Sequence, residues 1–186
     1  MVFLADLLQT VIGIYLYILI VRFLMQLMRA DFYNPLAQSI VKLTQPLVAP
    51  VQKVVPSMGK FSLPTLVVYA FVQLGVIFLM TALLAKVLPS VLGLFVLVLA
   101  YFISHLLTVM MVAMFGIVIL SWVAPNSHHP GALLLHQLTQ PLSSLVNRFL
   151  PPLGGLDFSP VVILLSIVYA KKYAVTYLFN LAYMVG

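Results

Sequence analysis

Four stretches of this sequence are long and almost purely apolar, at about Leu4–Met28, Leu63–Leu88, Leu92–Trp122 and Pro160–Met184. Nothing else in the chain restricts its fold as much. A helix needs roughly 20 mainly apolar residues to cross a bilayer, and each stretch is long enough. Inside lipid the backbone N–H and C=O groups find no water, so a crossing segment must satisfy them internally. The stretches therefore read as four transmembrane helices, and the fold class as an all-α, polytopic membrane protein.

Composition agrees. Of the 186 residues, 64% are hydrophobic, 6% are charged and only three are acidic, where a soluble domain is about 25% charged. Such a chain could not cover its surface in water. The net charge of +6 comes without a basic run or a basic patch interleaved with aromatics, so no nucleic-acid partner is expected. The Lys and Arg residues mostly flank apolar stretches, as topology and anionic lipid require. Membrane lipid is the expected partner. There is no cysteine, which excludes disulfides and thiolate metal sites. Met1–Thr10 lacks a basic leader region and no small-residue cleavage motif follows. The first stretch is expected to be a retained anchor.

The two long connections carry an internal repeat. A shift of 95 positions places Leu43-Thr44-Gln45-Pro46-Leu47 on Leu138-Thr139-Gln140-Pro141-Leu142, Lys53 on Arg148, Pro56 on Pro151 and Gly59 on Gly154. Upstream, Asp31 meets Asn126, and Asn34-Pro35 meets His129-Pro130. Matches of this kind in one frame indicate duplication. The first repeat is 1–90, with spans at about 4–28 and 63–88 around an amphipathic segment at about 35–55. The second is 91–186, with spans at about 92–122 and 160–184 around an amphipathic segment at about 130–150. Each unit holds two spans, so both enter the membrane in the same direction, as parallel repeats.

Asn34 and Pro35 form a helix-start signal. Leu36, Ile40, Leu43, Leu47, Val51 and Val54 then recur at helical spacing, as do Leu135, Leu138, Leu142, Leu145 and Phe149 in the second copy. Such helices suit the headgroup layer. Pro46 and Pro141 remove a backbone donor and are expected to break or kink them. Thr44-Gln45-Pro46, Thr139-Gln140-Pro141, Pro56-x-x-Gly59 and Pro151-x-x-Gly154 read as hinges that set chain direction, with Thr44 and Thr139 capping the turn after each break. The alternative is that Gln45 and Gln140 meet as a polar pair at the repeat centre.

Both long connections lie on one membrane face, which carries Arg29, Lys42, Lys53, Lys60 and Arg148 and which Arg22 can reach by snorkelling. The opposite face has Lys86 and both termini. The positive-inside rule puts the connections in the cytoplasm.

Asp31-Phe32-Tyr33-Asn34-Pro35, Thr44-Gln45-Pro46, Val55-Pro56-Ser57-Met58-Gly59, Thr139-Gln140-Pro141 and Leu150-Pro151-Pro152-Leu153-Gly154-Gly155-Leu156-Asp157-Phe158-Ser159-Pro160 resemble the YggT (YlmG) family, in its bacterial two-repeat form. The resemblance covers nearly the whole chain. It implies an integral protein of the bacterial inner membrane. It also implies links to osmotic or salt tolerance and, among relatives in cyanobacteria and plastids, to nucleoid or thylakoid organisation and to cofactor attachment on a cytochrome. It supplies no catalytic residues. Ser62 occupies the slot of Asp157, so any role of that acid is not duplicated.

The residues themselves offer little chemistry. Acid–base catalysis needs paired carboxylates or a His with a carboxylate, and only Asp6, Asp31 and Asp157 exist. No catalytic residue, metal site or cofactor is expected. His128 and His129 sit beside Pro130, with His129 in the slot of Asn34, and His136 lies in the amphipathic segment; zinc wants three or four ligands. His105 lies deep in span three, and Lys171 and Lys172 lie about 17 Å into span four. Intramembrane polar groups are functional candidates, so these three define a candidate polar path with Gln73 and Thr108. The plain reading of Lys171 and Lys172 is that they snorkel outward.

The leading expectation is a non-enzymatic protein of envelope or osmotic stress, acting by scaffolding or assembly of membrane-protein partners, or as a homo-oligomer. An ion channel or transporter subunit is the second, favoured if the polar residues share one inward face. A haem assembly factor using His105 is the third. The orientation is testable: a reporter active only outside the cytoplasm, fused after residue 186, should be active, and a silent but stably expressed fusion would reverse the topology.

Overall fold

In the computed structural model, residues 2–84, 87–124, 127–151 and 157–185 are described. The order is α1 (Val2–Leu27), α2 (Pro35–Gln52), α3 (Leu63–Leu84), α4 (Val91–Val123), α5 (Pro130–Asn147) and α6 (Ser159–Tyr169). A π-helical turn, Ala170–Val175, then runs into α7 (Thr176–Met184). Four helical spans, Phe3–Leu27, Leu63–Leu84, Val91–Val123 and Ser159–Met184, are long and apolar enough to cross a membrane. No strand occurs among the described residues. The second span is shorter than its apolar run. Its described helix runs to Leu84, and Val87–Ser90 is non-helical, because Pro89 denies its neighbours a helical continuation. Lys86, Asn126 and Gly154 lie outside the described residues.

The ends of these helices are built by local chemistry. Asn34 caps α2, its side chain accepting from Leu36 N at 2.9 Å, and Pro35 sits at the first helical position. His129 does the same for α5, accepting from Gly131 N at 3.2 Å, so it replaces the capping Asn. Ser90 caps α4 through Gly93 N at 3.1 Å. Before α6, Asp157 Oδ1 accepts from Ser159 N at 2.8 Å. In the matching slot Ser62 is buried and hydrogen-bonds Thr65 at 2.7 Å. The duplicated slot thus keeps one task, starting the second span, with two side chains. Helix α1 ends with Arg29 at φ 56° and with Ala30 N donating to Met25 O at 2.8 Å, a left-handed C-terminal closure.

The amphipathic helices differ from the sequence reading in one respect. Neither breaks at its proline. Helix α2 runs through Pro46 and Pro50, and α5 through Pro141. A proline removes one hydrogen bond from a helix, and packing of the buried face of each helix offsets that loss: Ala37, Thr44 and Val48 in α2, and Ala132, Leu134, Leu138 and Thr139 in α5. Thr44 and Thr139 therefore start no new turn. Their hydroxyls donate back to Ile40 O at 2.7 Å and to Leu135 O at 2.9 Å. In keeping with the headgroup-layer reading, the leucine stripe of α2 turns away from the bundle. Leu36, Leu43 and Leu47 are exposed, while the buried face is offset from them. An interfacial helix places such a stripe toward lipid.

The core gathers α1, α3 and α4 with one face of each amphipathic helix: Leu16, Leu19, Ile20, Leu24 and Met25 pack with Val68, Tyr69, Met110, Met114, Val48, Leu134 and Leu138. The N-termini of α2 and α5 meet across the repeats. Asn34 Nδ2 donates to Pro130 O at 2.8 Å, and Asp31 N donates to Gln137 Oε1 at 2.9 Å. On the opposite face Ser90 Oγ donates to Val185 O at 2.7 Å, and α4 packs so closely on α7 that a Cβ at Gly93 would lie 2.5 Å from Ala182 O.

Two glycines carry stability for different reasons. Gly59 has φ 58° in a tight turn closed by Met58 N to Phe61 O at 3.0 Å and Phe61 N to Met58 O at 2.9 Å. Gly59→Val should cost about 1–3 kcal/mol through backbone strain, and Gly93→Ala about 1–3 kcal/mol through overpacking. Thermal unfolding of purified protein in detergent checks both. Unchanged midpoints would contradict these roles.

Candidate intramembrane polar site

Two polar clusters lie inside the helical bundle. The first joins α1 to the Thr-Gln-Pro element of α2. Arg22 is buried. Its guanidinium donates to Thr44 Oγ1 at 2.7 Å, to Val41 O at 3.3 Å and to Gln45 Oε1 at 2.8 Å. A guanidinium offers five donors in a rigid fork, and this fork lands on a hydroxyl, a carbonyl and an amide, all neutral. Snorkelling is thus the wrong description of Arg22, because α2 covers the end of its helix and brings acceptors to it. The element read as a hinge is a clamp.

The second copy keeps the motif and loses the clamp. The position matching Arg22 is Ile117. Thr139 bonds only within its own helix, to Leu135 O and His136 O, and Gln140 is exposed. Gln45 is committed to Arg22, so the two glutamines form no polar pair. Of the Pro-x-x-Gly elements, Pro56 and Pro151 are exposed chain ends of the amphipathic segments, and Gly59 makes the turn described above.

The second cluster sits between the repeats. Tyr69 of α3 and His105 of α4 share a hydrogen bond of 2.7 Å between the hydroxyl and Nδ1. Tyr17 of α1 stands edge-on to the imidazole with ring centroids 4.6 Å apart, and Tyr101 lies 6.1 Å from it. One turn further along α4, Thr108 Oγ1 accepts from Lys171 Nζ at 2.7 Å and donates to Ser104 O at 2.8 Å. Lys171 is thereby turned inward. The reason is the π-helical turn Ala170–Val175, whose extra residue shifts the register of the fourth span. Its neighbour Lys172 is exposed, with Nζ 5.5 Å from the Tyr173 ring centroid. The plain reading of outward snorkelling therefore fits Lys172 and fails for Lys171.

A cavity of about 600 Å³ opens in the half of the bundle that holds the chain termini, between α1, α3, α4 and α7. His105, Tyr17, Gln73, Tyr101 and Tyr183 line it, with Asp6, Gln9 and Thr10 along α1. Gln73 is 2% exposed, and among the described residues its Oε1 has no hydrogen-bond partner. Of the candidate path, His105 and Gln73 line this cavity, whereas Thr108 and Lys171 do not. Toward α2 and α5 the way is closed by the packed core of Leu19, Ile20, Leu24, Met110 and Met114.

The carboxylates stay apart in role. Asp31 Oδ1 accepts from Tyr33 N at 2.8 Å and Asp157 from Ser159 N, both closing local turns, while Asp6 lines the cavity. Among the described residues no three His, Asp or Glu side chains come together as metal ligands. The tyrosines around His105 and the clamping role of Arg22 were not picked out from sequence. The signal for the former was there, in tyrosines recurring within apolar spans.

The model of the CCB3/YggT family matches twice, over residues 1–95 and 96–178. An uncharacterized protein of Pseudomonas aeruginosa is 39% identical, covering 96% of this chain and 90% of the relative. The uncharacterized protein YggT of Escherichia coli is 35% identical over 86% of this chain and 82% of its own length. An uncharacterized Vibrio alginolyticus protein is 35% identical over 89% of each. No solved structure matches.

The clamp generates an asymmetric prediction. Thr44→Val strips a buried guanidinium of an acceptor and should cost about 1.5–3 kcal/mol, the range for hydrogen bonds to charged groups. Thr139→Val is the same chemical change without the guanidinium and should cost under about 1 kcal/mol. Thermal melts of the two variants in detergent test this, and equal losses would remove Arg22 from its assigned role.

Proposed function

The chain belongs to the CCB3/YggT family, and from that premise we propose that it is a non-enzymatic protein of the bacterial inner membrane that assembles membrane partners. Its setting is osmotic, salt or envelope stress. The observation that carries this reading is the junction of α2 and α5. Two amphipathic helices joined by Asn34 to Pro130 and Asp31 to Gln137 make one continuous platform on a single face. The platform exposes Leu36, Leu43 and Leu47, with the exposed Lys42 on one flank of this apolar stripe. That combination suits an anionic membrane interface and the flanking helix of a partner or second copy. The basic connections support a cytoplasmic position for this face under the positive-inside rule. The three carboxylates lie apart, two of them spent on turns, which supports a role without acid–base catalysis.

A second reading is a transporter or channel subunit. The meeting of Gln73 and His105 at one cavity, with Lys171 held on Thr108 inside the bundle, favours it, because a scaffold has no need of polar groups gathered among apolar spans.

The platform is tested by Leu43→Glu with Leu47→Glu. Both side chains are exposed, so unfolding midpoints should stay within about 1 kcal/mol of the parent. Rescue of a salt-sensitive deletion strain and the set of co-purifying membrane proteins should both be lost. Full rescue with the same partners would refute the platform.

A further inference from the structure

We propose that the cavity between the repeats is a binding site for a small organic ammonium ion that carries N–H donors. The site stands apart from the platform and gives the transport reading its ligand class.

Three observations fix the chemistry. The first is the orphaned Gln73 Oε1, a nearly fully buried acceptor on the cavity wall. A buried amide oxygen without a partner costs free energy comparable to a lost hydrogen bond, and turning the Gln73 amide onto a ligand donor in the cavity would remove that cost. The second is charge. Asp6 is the sole formally charged residue among the described lining residues, and it sits at the mouth, about 16 Å along α1 from Tyr17. A carboxylate at the entrance of a low-dielectric cleft concentrates cations and repels anions. The third is the wall itself. Tyr17, Tyr101 and Tyr183 line the cavity, and the faces of such rings attract ammonium groups.

The cation that could oppose this is Lys171. Its Nζ is held on Thr108, one helical turn beyond His105, and it is not part of the lining. It lies behind the floor and repels a bound ammonium, so it limits affinity and sets a sign that an experiment can read. A ligand of the opposite charge would reverse the signs of the Asp6 and Lys171 effects.

The experiment is calorimetric titration of the purified protein in nanodiscs of zwitterionic lipid with n-butylammonium. Butyrate, n-butanol and tetramethylammonium serve as anionic, neutral and N–H-free counterparts. Saturable binding of butylammonium is expected, about tenfold tighter than tetramethylammonium, which cannot serve Gln73. Gln73→Leu should weaken it by about tenfold, and Asp6→Asn should also weaken it, by less because Asp6 is exposed. Lys171→Met should tighten it. Asp6→Asn changes an exposed residue, so at least one variant reads out even if another is poorly folded. Absence of saturable binding, equal binding of butanol or tetramethylammonium, or tighter binding of butyrate with the Asp6 and Lys171 effects inverted would each overturn the proposal. Since the measurement is on isolated protein, its failure leaves the partner-capture test of the platform untouched.

Discussion

A polar group carried into a bilayer has no water to turn to, and the arrangement of this protein follows from that constraint. Arg22 is placed near the end of α1, where an isolated helix would leave it seeking the headgroups. The chain instead folds α2 back over it and supplies Thr44 Oγ1, Val41 O and Gln45 Oε1. This single interaction fixes the depth and rotation of α2, because the fork of a guanidinium accepts little deviation in angle. Once α2 is set, its capped N-terminus lies where Asn34 reaches Pro130, and the second amphipathic helix is set with it. The platform therefore depends on the clamp.

The duplication supplies the same frame twice and then departs from symmetry where polar chemistry is concerned. Arg22 corresponds to Ile117 in the second repeat, Gln73 to Val168, and His105 to Thr10 in the first. The first repeat holds the clamp; the second contributes the His105 ring and, through the π-helical turn, Lys171. Their meeting surface is tight toward α2 and α5 and open toward the termini. The two halves thus enclose one polar cavity that neither could form alone. A pair of identical repeats would place every charge twice, whereas here Arg22 and Lys171 each appear once, with their own acceptors.

Much of this was legible in the chain. Long apolar runs name the spans, since a continuous apolar run of about 20 residues satisfies its own backbone in lipid only as a helix. The pair Asn34-Pro35 and its match His129-Pro130 name the starts of α2 and α5. Proline misled the reading of the helix interiors. A proline removes one hydrogen bond, which decides the fate of an isolated helix, but Ala37, Thr44 and Val48 bury a whole face of α2 and outweigh it. The leucine stripe was correctly found at helical spacing, yet spacing alone does not say which stripe meets protein and which meets lipid, because both are apolar.

Sequence by itself determined the membrane class, the four spans, the doubling of the unit and its parallel sense, because each follows from counts and periods along one chain. Tertiary structure alone decided that Thr44 and Gln45 are acceptors for Arg22, that Lys171 turns inward while Lys172 does not, and that Tyr69 holds His105. Those are contacts between residues from 22 to 63 positions apart. They depend on the rotation of each helix about its axis, which a π-helical turn or a clamped guanidinium sets and which hydrophobic periodicity, uniform around an apolar span, leaves open.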